Sequence, residues 1–496
     1  AAGAHADDGS SELFRAAGIR DVWLQIPQSS WARMDDEALV GCAPHNRSYY
    51  PGTIRIGDEE FPGAGLRIKG GCGSSRTLDG KAAFKAHLSW DDPEVSGCAK
   101  TRRYKGLKRF TFNNQVEDPS YAHERIGYDF LSQLGVPVPR AAPVRLHVND
   151  EAWGLYLNVE TIDRRFLSRH FESNDGMLYE ADYGCDIGET ACFVMKFKTD
   201  ECDEPREGDP TDMTPLMALH ERLAQLPSGD FYPAIDRVFD FDSYLSLWAG
   251  AVIMGYWDGY PNDPNNYRIY HNPVDDRWSL VPTGTDQLFE KNVDPFDPVG
   301  MLSKRCLAEE DCRAAFRRRL EDATRLFEDN DYPAMVRRIA SQLAEEVEAD
   351  TRREFSLEEW REAIESTVSY MERRPAEIRS LLARQPEAAP RESFYFHALT
   401  DPQGARFIFV TWRTAGSPGN PEPAWFTAKG HFDQLTAELD AVQHTGGSAG
   451  GDIIGLVKVE FVNCHQAAFT YLPASAPSAR QTRIAEIDSE IWKYCE

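Results

Sequence analysis

The sequence of 496 residues lacks the patterns that mark several common classes of protein. Its 12 histidines include no His-Glu-x-x-His, which argues against a zinc metallohydrolase. None of its 10 cysteines stands in a Cys-x-x-Cys pair, which disfavours a zinc ribbon or a thioredoxin-type motif. The Walker phosphate-binding pattern is absent. No apolar run approaches the roughly 18 residues that a membrane-spanning helix needs, so no membrane span is predicted.

Positive charge is also scarce. Lysine and arginine number 54 against 80 acidic residues, which gives a formal net charge of −26. Nucleic acids and anionic membranes bind basic surfaces, so neither is expected as a partner. A solvated acidic exterior explains the charge most simply, and cationic peptides or divalent ions also suit it. The stretch 1–18 lacks the basic and apolar regions of a signal peptide, and it is predicted to be a disordered or processed N-terminus.

The cysteines indicate an oxidising compartment. Two groups are spaced six to ten residues apart, namely Cys185, Cys192 and Cys202, and Cys306 and Cys312. Such spacing in loop-like sequence predicts cross-linked loops and an extracytoplasmic location. Buried free thiols in a cytoplasmic protein are the alternative. The connectivity stays open, although a bridge between Cys464 and Cys495 would staple the C-terminal part.

The stretch 256–289 carries the most informative chemistry. An apolar segment delivers Asp258 into a loop, Asn265 and Asn266 close that loop, and two short strands then lead to Asp286. Phosphoryl transfer needs an Asp to accept the hydroxyl proton, and an Asn and a second Asp to hold a metal ion. The order is that of protein kinases, but no His-Arg precedes Asp258, and Gln-Leu follows Asp286. Surface turns rich in Asp and Asn are the alternative.

A glycine- and serine-rich loop lies upstream, at residues 70–76, between two strands with alternating basic residues. The basic side chains and loop hydroxyls are Arg67, Lys69, Ser74, Ser75, Lys81 and Lys85. Backbone N–H groups of such a loop can cradle phosphate, although a simple hairpin turn fits as well. Glu124 lies in the first turn of a predicted helix, 121–134. It serves there either as a favourable charge or as the partner of a phosphate-binding lysine.

Taken together, these segments resemble the CotH family of secreted and spore-coat proteins, which have an atypical protein-kinase-like fold. The matching segments occur in the family's order at 66–70, 81–85, 118–120, 123–125, 134–139, 153–160, 257–259, 265–267 and 278–286. The resemblance implies an α+β domain with an antiparallel sheet lobe and a helical lobe. It also implies transfer of the ATP γ-phosphate to Ser or Thr of protein substrates with Mg or Mn.

The resemblance assigns roles to the candidate residues. Asp258 would be the general base, and Asn266 (less surely Asn265) and Asp286 would hold the metal ion. The loop serines, Arg67, Lys69, and Lys81 or Lys85 would bind the phosphates, with Glu124 orienting a lysine. Trp257 would stack on adenine. The family's Trp-Asp-x-Asp is here Thr283-Gly284-Thr285-Asp286, which keeps only the second acid.

Three other activities stay open. They are a catalytically weak nucleotide-binding pseudokinase, a non-enzymatic coat or surface-binding protein, and transfer of a nucleotidyl group by the same residues.

The predicted domain organisation has three parts after the N-terminus. A CotH-like kinase domain spans 19–385, with a sheet-rich part at 19–165 and a helical part at 166–385; a linker spans 386–392. A small α+β domain at 393–496 is predicted from a hairpin (393–399 and 406–412), a helix (432–442) and a strand (453–462). The oligomeric state is not determined by the sequence, and a monomer is favoured.

Overall fold

The computed structural model describes residues 9–15, 18–38, 47–71, 73–90, 102–187, 193–195, 213–227 and 230–384, and the backbone of seven strands between 393 and 486. The chain divides into two compact units, Ala1–Gln385 and Pro386–Glu496. The first unit mixes helices and sheets, so the predicted α+β class is confirmed for it. The predicted linker 386–392 lies outside the described residues.

The first unit contains eleven described strands and ten described α-helices. The strands are β1 (Arg20–Gln25), β2 (Tyr50–Ile56), β3 (Glu59–Lys69), β4 (Ala83–His87), β5 (Arg109–Asn113), β6 (Ala141–Val148), β7 (Glu151–Val159), β8 (Met177–Ala181), β9 (Phe193–Met195), β10 (Tyr267–Asn272) and β11 (Arg277–Pro282). The helices are α1 (Gln28–Asp36), α2 (His123–Gln133), α3 (Arg164–His170), α4 (Thr214–Ala224), α5 (Phe231–Ile235), α6 (Phe241–Met254), α7 (Met301–Ala308), α8 (Glu310–Asp329), α9 (Tyr332–Ala349) and α10 (Leu357–Arg384).

The first seven strands form a closed barrel in the order β1-β2-β3-β4-β5-β7-β6. Parallel pairing of β1 with β6 closes it, and the other pairs are antiparallel. The predicted antiparallel sheet lobe is therefore a closed barrel, which leaves no free edge. Along β3, Leu66 and Ile68 are buried in the barrel core, whereas Arg67 and Lys69 alternate with them and are only partly buried.

The helical part is built around α6, which is buried on nearly every side. Asp240 caps its first turn by accepting a hydrogen bond from the Ser243 N–H at 3.3 Å. Trp248 stacks on Phe316 of α8 with ring centroids 3.5 Å apart. The apolar segment that precedes Asp258 in the sequence is therefore the end of a buried helix. Beside it, a four-stranded sheet has the order β11-β10-β8-β9.

The predicted presence of disulfides is confirmed, and one of them joins Cys306 of α7 to Cys312 of α8. Cys185 is also disulfide-bonded. Cys464 and Cys495 lie outside the described residues. Among the helices that the structure describes, none is long and apolar enough to cross a membrane.

Part of the predicted disordered N-terminus is ordered instead. Residues Ser10–Phe14 form a 3-10 helix, and Leu13 is buried against the barrel. Arg140 explains the difference, since its guanidinium donates to the Ser10 hydroxyl at 2.8 Å and lies over the Phe14 ring. These contacts are long-range and leave no periodic pattern in the sequence.

The described part of the second unit is one antiparallel sheet of seven strands paired in chain order. The strands are β12 (Ser393–Thr400), β13 (Arg406–Thr414), β14 (Ala424–Asp433), β15 (Thr436–His444), β16 (Asp452–Asn463), β17 (Gln466–Pro473) and β18 (Gln481–Glu486). The predicted hairpin and long strand are confirmed. The predicted helix 432–442 is wrong, because β15 occupies it. The run Ala437, Leu439 and Ala441, alternating with Glu438 and Asp440, has the two-residue period of a strand.

Candidate active site

A cavity of about 740 Å³ is lined by residues from both the barrel and the helical part. It brings together nine of the twelve residues proposed from the sequence. These are Lys69, Ser74, Lys85, Glu124, Trp257, Asp258, Asn265, Asn266 and Asp286.

Asp258 is held by two amides in the loop that follows α6. Asn265 Nδ2 donates to one carboxylate oxygen at 2.9 Å, and Asn266 Nδ2 donates to the other at 2.8 Å. Asn266 also donates to the Asp258 carbonyl oxygen at 2.7 Å. Burial raises the pKa of Asp258, as do the charges of Asp263 and Asp286, while the two amides oppose the shift. The carboxylate is thus oriented and made more basic than an exposed aspartate.

Gly284 leaves space for the Asn266 side chain because glycine has no Cβ. Gly284 has a φ of 60°, and a Cβ there would lie 2.8 Å from Asn266 Oδ1. The amide nitrogen of Asn266 must face Asp258, because both Asp258 oxygens that it contacts are acceptors. Its Oδ1 therefore lies against Gly284, two residues before Asp286.

Asp286 is fixed through its backbone by α2 and α10. His123 Nδ1 donates to the Asp286 carbonyl oxygen at 2.9 Å, and His123 Nε2 lies 2.8 Å from Thr367 Oγ1. Burial raises the pKa of Asp286, and the nearby Lys69 charge opposes the shift. The histidine that precedes Glu124 thus ties this segment to two helices.

Lys69 and Glu124 are connected through a residue that sequence reasoning missed. Lys69 donates to Asn113 Oδ1, and Asn113 Nδ2 donates to Glu124 Oε2 at 2.8 Å. Tyr128 donates to the other oxygen of Glu124 at 3.0 Å. Burial lowers the pKa of Lys69, and the charges of Glu124 and Asp286 counteract it. In the sequence, the polar residues Thr111 and Asn113 alternate with apolar residues along β5. No local pattern predicts which side chains they contact.

The glycine-rich loop (residues 70–76) is anchored at both ends. Arg47 donates to the Gly70 carbonyl at 2.7 Å, and Asn114 donates to the Ser74 carbonyl at 3.0 Å. Arg76 forms a two-pronged pair with Glu354 at 2.6 and 2.7 Å. The loop is thereby held at the cavity, which its residues Gly70, Gly71, Gly73 and Ser74 line.

Comparison with known proteins now identifies the family. The family model described as CotH kinase protein matches residues 66–378, which is more than half of the chain.

The chain belongs to the CotH family.

The curated relatives are distant and only partly covered. Inner spore coat protein H of Bacillus subtilis is 22% identical over 246 residues, which is 47% of this chain and 65% of the relative. Invasin CotH7 of Rhizopus delemar is 23% identical over 192 residues, which is 36% of this chain and 30% of the relative. Spore coat protein homolog 1 of the same fungus is 22% identical over 181 residues, or 33% and 28%. The match thus spans less than two thirds of the length of each.

Three of the residues proposed from the sequence do not line the cavity of this CotH chain. Lys81 is buried and pairs with Asp350 at 2.6 Å. Ser75 accepts a hydrogen bond from Arg47 at 2.8 Å. Arg67 lies over the Tyr49 ring, 5.1 Å from its centroid. Their side chains already have partners within the fold, so we no longer assign them phosphate-binding roles.

Glu117 is a further acid of the CotH site that the sequence did not single out. Its Oε1 accepts from Gln287 Nε2 at 3.0 Å. It also lies against Gly73 of the glycine-rich loop, where a Cβ would come within 1.9 Å of the carboxylate. Burial, followed by the charges of Asp286 and Asp258, raises the pKa of Glu117 to about 7. Only the Asp-Pro pattern that follows Glu117, at Asp118-Pro119, pointed to this segment.

The raised pKa of Glu117 predicts a pH-dependent stability. Between its ordinary value of 4.5 and about 7, the folded carboxyl holds a proton that the unfolded one has lost. Stability therefore falls as pH rises through this window. We expect the melting temperature in metal-free buffer to decline from about pH 5 to about pH 8, and Glu117→Gln to flatten the decline. The exposed Glu362→Gln on α10 is the control; equal slopes in both variants would contradict the prediction.

Proposed function

We propose that this chain is an extracytoplasmic, atypical protein kinase that transfers the ATP γ-phosphate to Ser or Thr of a protein substrate. The barrel and the helical part would serve as its two lobes. One observation carries the proposal. Asp258, Asn266 and Asp286 line the same cavity as the Lys69–Asn113–Glu124 chain and the glycine-rich loop. Kinases need these functions at one place, namely a base, metal ligands, a phosphate-binding lysine and a loop over the phosphates.

Asp258 suits the role of the base. Its carboxylate is half-buried and its pKa is raised, which favours uptake of the proton of an acceptor hydroxyl. The amides of Asn265 and Asn266 fix both oxygens, so the carboxylate needs no reorganisation to receive the hydroxyl. A substrate serine or threonine would approach this side chain.

Asn266 Oδ1 and the Asp286 carboxylate would hold the metal ion. Magnesium takes oxygen ligands and usually only one or two protein carboxylates, so an amide oxygen and one carboxylate fit it. Manganese accepts the same donors. Within the described residues, no three His, Cys, Asp or Glu side chains are grouped for a metal, which excludes a cage made entirely of those side chains there. When bound, the ion would neutralise charge on the phosphates.

Lys69 would bind phosphate oxygens. The Asn113 bridge positions it, and the charges of Glu124 and Asp286 counteract the lowering of its pKa by burial. Lys85 adds a second cation to the cavity lining. The backbone N–H groups of the glycine-rich loop, which lines the same cavity, would bind phosphate oxygens as well.

A second candidate is a nucleotide-binding or purely structural coat or surface protein. Gly284 stands where a second metal-binding acid would be expected, so this motif contributes a single carboxylate, Asp286. The relatives are named as spore coat proteins and an invasin. Those names and the Cys306–Cys312 disulfide support a location outside the cytoplasm for either candidate.

The full chain should be given γ-labelled or α-labelled ATP with Mg or Mn, with casein as acceptor and the chain itself as a second acceptor. We expect transfer of the γ-label to serine or threonine, and its loss when EDTA removes the metal. Transfer of the α-label instead would establish nucleotidyl transfer. ATP binding without transfer would support the pseudokinase, and failure to bind millimolar ATP would leave a structural role.

A further inference from the structure

The cavity has two chemically different ends. The phosphate end, named for the ligand group that the proposed function assigns to it, comprises Lys69, Gly73, Asn113, Glu117, Asp286 and Gln287, all of which line the cavity. The base end comprises Thr111, Val159, Thr161, Ile162 and Arg268. Thr111 pairs with Val159 across β5 and β7, and its Oγ1 lies 3.0 Å from Thr161 Oγ1. Arg268 Nη1 donates to the Ile162 carbonyl at 3.2 Å.

The two ends lie along one strand at a spacing that suits a nucleotide. Asn113, which binds Lys69, and Thr111 of the base end are two residues apart on β5. Two strand residues span about 7 Å. The base end also carries apolar side chains of Pro139, Val159 and Ile162. A flat, largely apolar base fits there, with the triphosphate reaching towards the glycine-rich loop.

Arg268 presents a fixed planar group at the base end. It lies directly opposite Glu180 on β10 and β8, and its Nε and Nη2 lie 3.3 and 3.0 Å from Glu180 Oε1. With the Ile162 contact, three hydrogen bonds set the orientation of the guanidinium. The side chain is only 11% exposed, and it lines the cavity. A planar guanidinium stacks well on aromatic rings.

Trp257 is less suited to hold the base than the sequence suggested. Lys291 Nζ lies 3.2 Å from the centroid of its ring and covers one face. Trp257 also directly precedes Asp258, at the side of the cavity where the phosphates would react.

We propose that the purine base of the nucleotide stacks on the guanidinium plane of Arg268, which makes Arg268 a determinant of nucleotide affinity. This inference rests on the proposed function, because it presumes that the cavity binds ATP. Arg268 is held by Glu180 and Ile162 before the ligand arrives, so the stacking surface is pre-formed.

The test compares two ligands, Mg-ATP and Mg-tripolyphosphate, by calorimetry on the full chain. For Arg268→Ala we expect the Kd of ATP to rise about tenfold, the scale of a desolvated cation–π contact, while the Kd of tripolyphosphate stays unchanged. Arg268→Lys keeps the charge and loses the plane, so it should weaken ATP binding to nearly the same extent. Arg277→Ala on the neighbouring β11 removes an arginine outside the cavity lining and should change neither Kd.

Each other outcome is decisive. Equal loss of both ligands in Arg268→Ala, rescued by Arg268→Lys, would make Arg268 a phosphate-binding charge and overturn the stacking. Unchanged ATP binding in folded Arg268 variants would leave only a cross-strand ion pair with Glu180. If the wild type binds neither ligand, the proposed function itself fails. If it binds ATP while the variants do not differ from it, only this inference fails. Thermal unfolding of each variant verifies the fold.

Discussion

Asp258→Asn is expected to lower kcat for phosphoryl transfer by about 10²–10⁴-fold, because it removes the only proton acceptor that we place beside the substrate hydroxyl. The substitution preserves shape, and Asn265 and Asn266 still surround the side chain. KM for ATP should change little, since Asp258 is not assigned to the phosphates. Steady-state kinetics with Mg-ATP and a protein acceptor give both constants.

The matched control is Asp275→Asn, an exposed aspartate in the turn between β10 and β11 that pairs only with Arg277 among the contacts described. It should keep wild-type kcat. Asp286→Asn provides a contrast, because a metal ligand should raise the concentration of Mg needed for half-maximal activity. Full activity in Asp258→Asn would reject Asp258 as the base while leaving nucleotide binding untouched.

Local order along the chain was enough to predict that three of the candidate residues lie close together. Asp258, Asn266 and Asp286 are separated by a loop and a hairpin, and short-range pattern places them together. The alternation along β3 likewise separated Lys69 from Leu66 and Ile68, which are buried.

The sequence pattern could not identify residues whose role depends on partners far away along the chain. Glu117 meets Gln287 from 170 positions away, and Arg268 meets Glu180 from 88. The periodicity of a single sequence does not predict such long-range contacts. Closure of the barrel by β1 and β6 could not be predicted for the same reason, because these two strands are far apart in the chain and pair in parallel. An open sheet and a closed barrel present the same alternation in each strand.

Lys81 shows the difference most clearly. By sequence it is a lysine behind a glycine-rich loop, which is where a phosphate-binding lysine is sought. Its partner Asp350 lies 269 positions away, and both side chains are at most 1% exposed. Lys81 also lies 5.4 Å from the ring centroids of Tyr121 and Tyr156. Through these contacts Lys81 links the barrel to the segment after α9.

We expect Asp350→Ala to destabilise the protein by about 3–5 kcal/mol, measured by urea unfolding, because it leaves a buried ammonium without its counter-ion. It also removes the acceptor for the Leu155 N–H at 3.0 Å and the Arg352 N–H at 2.9 Å. The double variant Lys81→Met with Asp350→Leu should recover much of that loss, since apolar replacement of a buried pair is often near neutral. If Asp350→Ala lowers the free energy of unfolding by less than about 1 kcal/mol, the ion pair contributes no more than an exposed surface salt bridge. If the double variant folds and still binds ATP with wild-type Kd, Lys81 serves the fold and not the phosphates, as expected if Lys69 at the end of β3 binds them.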